Sequence, residues 1–368
     1  MKILFLIARA DTVGGAQVHV KDLAISLQQD GHKVLVVTGT QGVYNNILKQ
    51  QGIESITCET LKPQIDPIKD IKSLQFIIQA IRQFQPDLIS LHSSKTGILG
   101  RIASKITNVP CLFTAHGWSF TAGVPEPSRS IYQWIEKLNA PLANKIICVS
   151  ECDLAIAIEA GMDRDRLITI HNGMKDISST LRADPGLDNP VKVLMVARFG
   201  RQKDHHSLIE AFQHITGAEL ILVGDGSSEN EIKSLVKRLD IGKKVKFLGL
   251  RKDVPEIMAQ TQVYALISHW EGLPRTIIEA MRGGLPVVAS DVGGVRELVE
   301  DGETGFVIPR GNVELLAQKL SELVNNRELR LKMGDAGRKK YESQFKFEYM
   351  YGQTVATYQK VLSNLDNR

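Results

Sequence analysis

Two kinds of apolar pattern alternate along almost the whole chain. Short, nearly unbroken runs of β-branched and aliphatic residues read as strands covered on both faces: "KILFLIA" (2–8), "KVLVVTG", "DLISLHS", "PCLFTAHG", "KIICVS" and "RLITIHNG". Between them lie segments with helical spacing. In "AQVHVKDLAISLQQDG" (16–31), Ala16, Val20, Leu23, Ala24 and Leu27 form one stripe, and Gly31 marks the stop. The segments "DIKSLQFIIQAIRQF" and "IYQWIEKLNAPLA" behave similarly. Regular alternation of strand and helix predicts parallel sheets with helices on both faces.

The alternation breaks once, over 173–190, in "GMKDISSTLRADPGLDNP". This stretch is polar, holds two prolines and two glycines, and has no period, so it reads as a linker. The pattern then restarts with "VKVLMVARF", helix 204–215, "AELILVG", helix 229–239, "VKFLGL", helix 253–260, "QVYALIS", helix 274–283 and "LPVVASD". Residues 313–365 are almost wholly helical in pattern. At 368 residues the chain exceeds what one core usually serves. The expected fold is α/β, with two Rossmann-like doubly wound domains facing each other across a cleft and a helical C-terminal segment. Their expected limits are 1–172 for the N-terminal domain, 173–190 for the linker and 191–345 for the C-terminal domain. The last helix, 346–368, is expected to pack back on the N-terminal domain.

Composition narrows the classes. With 43% hydrophobic and 23% charged residues and a net charge of +4, the chain is too weakly basic to make nucleic acid its main partner. The four cysteines, Cys58, Cys111, Cys148 and Cys152, have no metal-ligand spacing, and two fall in apolar strands, as reduced buried thiols do. The apolar start "MKILFLIARAD" stops at Arg9, too short for a signal peptide, and no uncharged run is long enough to span a bilayer. A cytoplasmic protein is expected.

In doubly wound sheets, ligands sit beyond the carboxyl ends of the strands, and the candidate chemistry falls there. In "RADTVGGAQVH", Gly14 and Gly15 precede a helix whose N-terminus favours phosphate. The pair is not G-x-G-x-x-G, and by itself it also describes a plain tight turn. In "VARFGRQKDHHSLIEAF", Arg198, Arg201 and Lys203 stand before a helix start, where cations are repelled unless an anion fills the space. Solvated loop charges are the alternative. In "HWEGLPRTIIEAM", Glu271 and Glu279 flank a helix start at Pro274, about 8–12 Å apart by helical rise. That is too far for a shared proton, and suited to holding two polyols beside the amides of Leu273, Arg275 and Thr276. A capping acid with an exposed helix glutamate fits equally. His116 ends a strand in "FTAHGWSF" and either donates to a ligand or is structural. His171 in "TIHNGM", beside the linker, reads as a hinge residue.

Taken in order, "VGGAQVHV", "TAHG", "CVSE", "IHNG", "ARFGRQKD", "LVGDG", "FLG", "EGLPRTIIEAM" and "GGVRELVEDGETGFV" resemble the retaining, nucleotide-sugar-dependent glycosyltransferases of family 4, with the two-Rossmann GT-B fold. The acid-x7-acid segment from Glu271 to Glu279 is the most specific element. The resemblance implies that Gly14 and Gly15 approach the donor diphosphate and that Arg198 and Lys203 bind it. It also implies that Glu271 holds donor-sugar hydroxyls with the amides of Gly272 and Leu273, and that Glu279 takes the ribose. Leu250 and Arg251 would meet the nucleobase, and His116 the transferring sugar. The catalytic set so implied is His116, Arg198, Lys203 and Glu271. Arg275 and Thr276 complete the donor-binding group. "EGLP" departs mildly from the family's "EGFG" or "EGFP". No D-x-D motif ends a strand; "DRD" at 163–165 lies in a connection, so no metal is implied. No cofactor is expected beyond the co-substrate, a UDP- or GDP-sugar.

The region from "HGWSF" to "CVSE" resembles bacterial members that build exopolysaccharide or lipid-linked chains, so a glycan or lipid-linked acceptor is expected. Helix 129–143 carries Ile131, Trp134, Ile135 and Leu138 on one face with Arg129 and Lys137 nearby. Core packing is the reading preferred for that stripe, with peripheral contact at the inner membrane face as the alternative. Two other functions share the fold: a sugar-nucleotide epimerase, and a non-catalytic sugar-nucleotide-binding protein.

Overall fold

A computed structural model of the chain describes residues 1–187 and 190–366. Asp188 and Asn189 of the expected linker, and Asn367 and Arg368 of the expected last helix, lie outside the described residues. The chain divides into two compact units, Met1–His171 with Tyr351–Arg368, and Asn172–Met350.

Unit 1 is built from β1 (Lys2–Ile7), α1 (Gly15–Gln29), β2 (Lys33–Thr38), α2 (Val43–Gln50), β3 (Glu54–Thr57), α3 (Pro67–Phe84) and β4 (Leu88–His92). It continues with α4 (Ser94–Thr107), β5 (Cys111–Ala115), α5 (Ser128–Asn139), β6 (Lys145–Cys148), α6 (Glu151–Glu159) and β7 (Leu167–Thr169). The seven strands lie parallel in the order β3-β2-β1-β4-β5-β6-β7. Burial of "LISLH" and "CLFTA" at every position explains their unbroken apolar runs, since helices cover both faces. On α1, Val20, Leu23, Ala24 and Leu27 are buried, as the stripe predicted.

Unit 2 contains β8 (Val191–Val196), α7 (His205–Gln213), β9 (Ala218–Val223), α8 (Glu229–Arg238), β10 (Val245–Phe247), α9 (Val254–Ala259), β11 (Val263–Leu266) and α10 (Arg275–Gly283). Next come β12 (Val287–Ser290), α11 (Val295–Leu298), β13 (Gly305–Ile308), α12 (Val313–Asn325) and α13 (Arg327–Gln344). The last helix, α14 (Phe347–Asp366), begins in this unit and ends in unit 1. The six strands are parallel, ordered β10-β9-β8-β11-β12-β13.

Each sheet therefore has one place where the chain reverses its direction of winding, between β1 and β4 in unit 1 and between β8 and β11 in unit 2. Loops leaving the two strands at such a point part to opposite faces and open a crevice at the carboxyl ends.

One expectation fails. The α5 stripe does not pack into the core: Ile131, Trp134 and Leu138 are 49%, 63% and 55% exposed. The buried residue of this helix is Glu136, which pairs with the buried Arg101 of α4 at 2.5 Å. A desolvated carboxylate needs its guanidinium partner, so the ion pair sets the helix rotation and turns Ile131, Trp134 and Leu138 outward, with Ile135 half-buried.

Candidate active site

At the reversal point of unit 2, the segment after β8 runs back along the segment after β11. Asp204 N donates to Ile267 O (2.9 Å) and His269 N to Gln202 O (2.8 Å), with a bridge between Lys203 and Ser268. This zipper brings Lys203 to Glu271. Lys203 Nζ donates to Glu271 Oε1, which also accepts from Ser268 Oγ at 2.6 Å. Gln202 Nε2 reaches Oε2 at 3.3 Å and the Trp270 carbonyl at 2.9 Å. The Lys203 side chain is 15% exposed and that of Glu271 6%, so the pair is nearly desolvated. Arg198 is exposed and enters no ion pair among the described residues. Gln202 and Ser268 escape a sequence reading because nothing in a lone Gln or Ser marks it as a carboxylate support.

The loop from Glu271 to Pro274 is held from two sides. Gly294 N donates to Gly272 O at 2.8 Å, and Gly293 has φ +54° with no room for a Cβ, which would stand 2.1 Å from Glu271 O. That close approach explains the glycine at position 293. From the other side, Asn172 Nδ2, a member of "IHNG", donates to Leu273 O at 3.1 Å. The helix α10 then starts, with Pro274 as N-cap and no side-chain cap. Glu271 therefore does not cap it. Gly272, Thr276 and Glu279 are half-buried, and Leu273 and Arg275 are buried. Beneath the helix lies the buried hydroxyl of Tyr264, held protonated above its usual range chiefly by burial. Thr276 hydrogen-bonds its side chain, and Glu279 and Glu271 both add to the upward shift, so all four groups share one neighbourhood.

Leu250 and Arg251 stand apart, beyond the outer strand β10. Leu250 is 72% exposed, and Arg251 grips Asp253 through two bonds of 2.8 and 2.5 Å. The loop that carries them is tied to the end of β9 by Gly224 N donating to Gly249 O at 2.9 Å. In the same region Gly226 packs against the Phe199 carbonyl, where a Cβ would stand at 2.1 Å.

In unit 1, Gly14 is the N-cap of α1, and both Gly14 and Gly15 are exposed. Gly14 N donates to Gln17 Oε1 at 3.1 Å, and Gln17 Nε2 to Arg9 O at 3.1 Å, which fixes the turn. His116 follows β5 and is not isolated. His92, at the end of β4, places Nδ1 3.0 Å from His116 Nε2, and the His19 ring of α1 lies 4.8 Å from that of His116. Burial, and then the neighbouring His116, hold the His92 imidazole well below its ordinary pKa. Among the described residues this is the one group of three such side chains close enough to share a cation, with ligand atoms within 4.8 Å of one another.

Comparison with known proteins agrees with this architecture. Residues 13–176 match the family described as Glycosyltransferase Family 4, and residues 178–340 match Glycosyl transferases group 1. The chain is 32% identical to the UDP-Gal:alpha-D-GlcNAc-diphosphoundecaprenol alpha-1,3-galactosyltransferase of Escherichia coli, over 74% of this chain and 75% of that one. It is 26% identical to the capsular polysaccharide biosynthesis glycosyltransferase CapM of Staphylococcus aureus, over 87% and 89%. Among solved structures, Anabaena HepE in complex with UDP-glucose superposes with a TM-score of 0.85 at 26% identity, over 98% of this chain and 100% of the other. Two parallel Rossmann-like units, both family matches and the relative at 32% identity together place this chain in glycosyltransferase family 4, with the GT-B fold.

Proposed function

We propose that this glycosyltransferase moves a sugar, with retention of anomeric configuration, from a UDP-sugar to a hydroxyl of a lipid-linked glycan. The observation that carries the reading is the desolvated Lys203–Glu271 pair at the reversal point of the unit 2 sheet, beside the N-terminus of α10. A cation, a carboxylate and helix amides gathered there suit a diphosphate with a sugar attached. The names of the Escherichia coli relative and of the HepE complex support uridine as the base and a lipid diphosphate on the acceptor.

In this reading the departing diphosphate is met by Arg198, Lys203 and the N-terminus of α10, which supply counter-charge where negative charge develops. Gly14 and Gly15 allow its close approach. Glu271 accepts from sugar hydroxyls and Glu279 from the ribose, while Leu250 and Arg251 flank the base. His116 donates a hydrogen bond to the transferring sugar. A front-face route, with the leaving phosphate helping to deprotonate the acceptor, requires no protein nucleophile. No metal is assigned a role, since protein cations serve the leaving group.

The exposed face of α5 supports a place at the cytoplasmic membrane surface. Trp134, Ile131 and Leu138 beside the exposed Arg129 and Lys137 form the mixed apolar and basic face of an interfacial helix. Among the described residues no helix is long and apolar enough to cross a membrane, so this contact would be peripheral.

The deciding experiment incubates the protein with a panel of nucleotide sugars and follows nucleoside diphosphate release, with and without undecaprenyl-diphosphate-linked acceptors. Release that needs both a UDP-sugar and the acceptor, and that persists in excess chelator, is expected. Release of free sugar without acceptor would point to epimerase chemistry. Binding without release would indicate a non-catalytic protein. Loss on chelation, restored only by magnesium or manganese, would overturn the metal-independent route.

A further inference from the structure

The hydrogen bonds leading to His116 have one consistent direction, and it starts on the last helix. Tyr358 of α14 is buried, with its hydroxyl 2.8 Å from Ser90 Oγ on β4. Ser90 Oγ lies 2.9 Å from His92 Nε2, and His92 Nδ1 lies 3.0 Å from His116 Nε2. Each hydroxyl and each neutral imidazole brings one proton to this row. Were Ser90 to donate to Tyr358, the phenol proton would have no acceptor among the described residues. A buried donor left unmade costs roughly 1–3 kcal/mol, which selects the other direction. Tyr358 therefore donates to Ser90, and Ser90 to His92 Nε2. His92 then carries its proton on Nδ1 and donates it to His116 Nε2, so neutral His116 holds its own proton on Nδ1.

We propose that Tyr358, Ser90 and His92 are positioning residues that fix His116 as the Nδ1–H tautomer, so that it meets the sugar as a neutral hydrogen-bond donor. The functional half rests on the reading of His116 as the group that touches the transferring sugar. A second proton on His116 would set N–H against N–H across 3.0 Å, so the row also keeps His116 from acting as an imidazolium. Coordination of a cation by His19, His92 and His116 requires the opposite direction. His92 Nδ1 would need a free lone pair, Nε2–H would turn to Ser90, and the hydroxyl proton of either Ser90 or Tyr358 would be stranded.

The test uses the full-length protein with 15N-labelled histidine, reading ring tautomers from two-bond 1H–15N correlations. His92 and His116 are both expected as Nδ1–H. Ser90→Ala should move His116 toward a mixture of tautomers although its own residue is unchanged. His92→Asn, which leaves an amide N–H where Nδ1 stood, should keep the His116 tautomer, and His92→Leu should not. In the transferase assay Ser90→Ala and His92→Leu should lower kcat roughly 10–100-fold, as loss of a partner that orients a histidine does elsewhere. Donor KM should stay within about twofold, because only the transferring group is affected, and His92→Asn should recover most of the loss. His116 found as Nε2–H, or unmoved by Ser90→Ala, overturns the proposal. So does a titration with Zn2+ alone that shifts all three rings with one equivalent. His116→Ala with unchanged kcat would overturn the reading of His116, leaving the tautomer result standing.

Discussion

Arg198 and Lys203 look alike in sequence and differ in the fold. Lys203 neutralises a carboxylate that is 6% exposed, while Arg198 is exposed and without an ion pair among the described residues. Their variants should therefore fail differently. Arg198→Ala should leave the urea unfolding midpoint nearly unchanged, within about 0.5 kcal/mol. Turnover should drop on the order of 10²–10³, the scale of a lost oxyanion-type contact. Lys203→Ala strands a buried charge, for which roughly 3–5 kcal/mol is typical, so part of its inactivity would be instability. The double variant Lys203→Met with Glu271→Gln should restore the midpoint and leave turnover low. If it restored turnover as well, the pair would be structural only. The residue types and their place after strands were legible in the sequence. The partnership was not, because it spans 68 positions and depends on the zipper between 202–204 and 267–269, a product of strand order.

At the level of elements, α5 shows how one buried charge can override a helical period. Ile131, Trp134, Ile135 and Leu138 recur at the spacing of a core-facing helix, and Glu136 lies where a solvated residue is expected. Arg101 reverses that assignment, since its guanidinium is itself fully buried over the Phe113 ring, 4.7 Å from the centroid. A sequence does not reveal that a helix 35 positions away will present a guanidinium to that face. Removing either partner leaves the other desolvated, so Glu136→Ala should lower stability by roughly 3–5 kcal/mol in chemical unfolding. Trp134→Ser combined with Leu138→Ser should instead change stability by less than about 0.5 kcal/mol, because both side chains already face water. The same double variant should lose sedimentation with vesicles containing anionic lipid, if α5 is the membrane face. Equal retention on vesicles by wild type and variant would remove that role.

Across the whole molecule, the alternation of patterns was enough to foresee two parallel sheets, because a strand covered on both faces must be apolar throughout. It could not foresee that His19, His92 and His116 converge, which follows from β4 returning beside β1 at the reversal point. Nor could it foresee that the polar stretch after His171 is anchored. Buried Arg330 donates to the Pro185 and Leu187 carbonyls, and Arg338 holds Asp176 at 2.6 Å, so these residues belong to unit 2. These anchors and a buried histidine give the molecule a two-step response to acid. His205, stacked on Phe199 at 4.2 Å, is held down to about 4 from 6.5, first by burial. The unfolded chain therefore takes up that proton first, and stability present above pH 6.5 is lost as pH falls toward 4. His92, also buried and lowered, acts in the same sense. Asp176 is held down to about 2 from 3.8, chiefly by its bond to Arg338, so its contribution is complete above 3.8 and disappears toward pH 2. Thermal melts taken from pH 7 to pH 2 should show both losses. His205→Phe, which keeps the stack, should flatten the upper step, with His92 leaving a remainder. Asp176→Asn should lie below wild type near neutrality and meet it near pH 2. A wild-type slope between pH 6.5 and 4 that His205→Phe does not reduce would mean that the imidazole is charged in the fold, against its burial beneath Phe199.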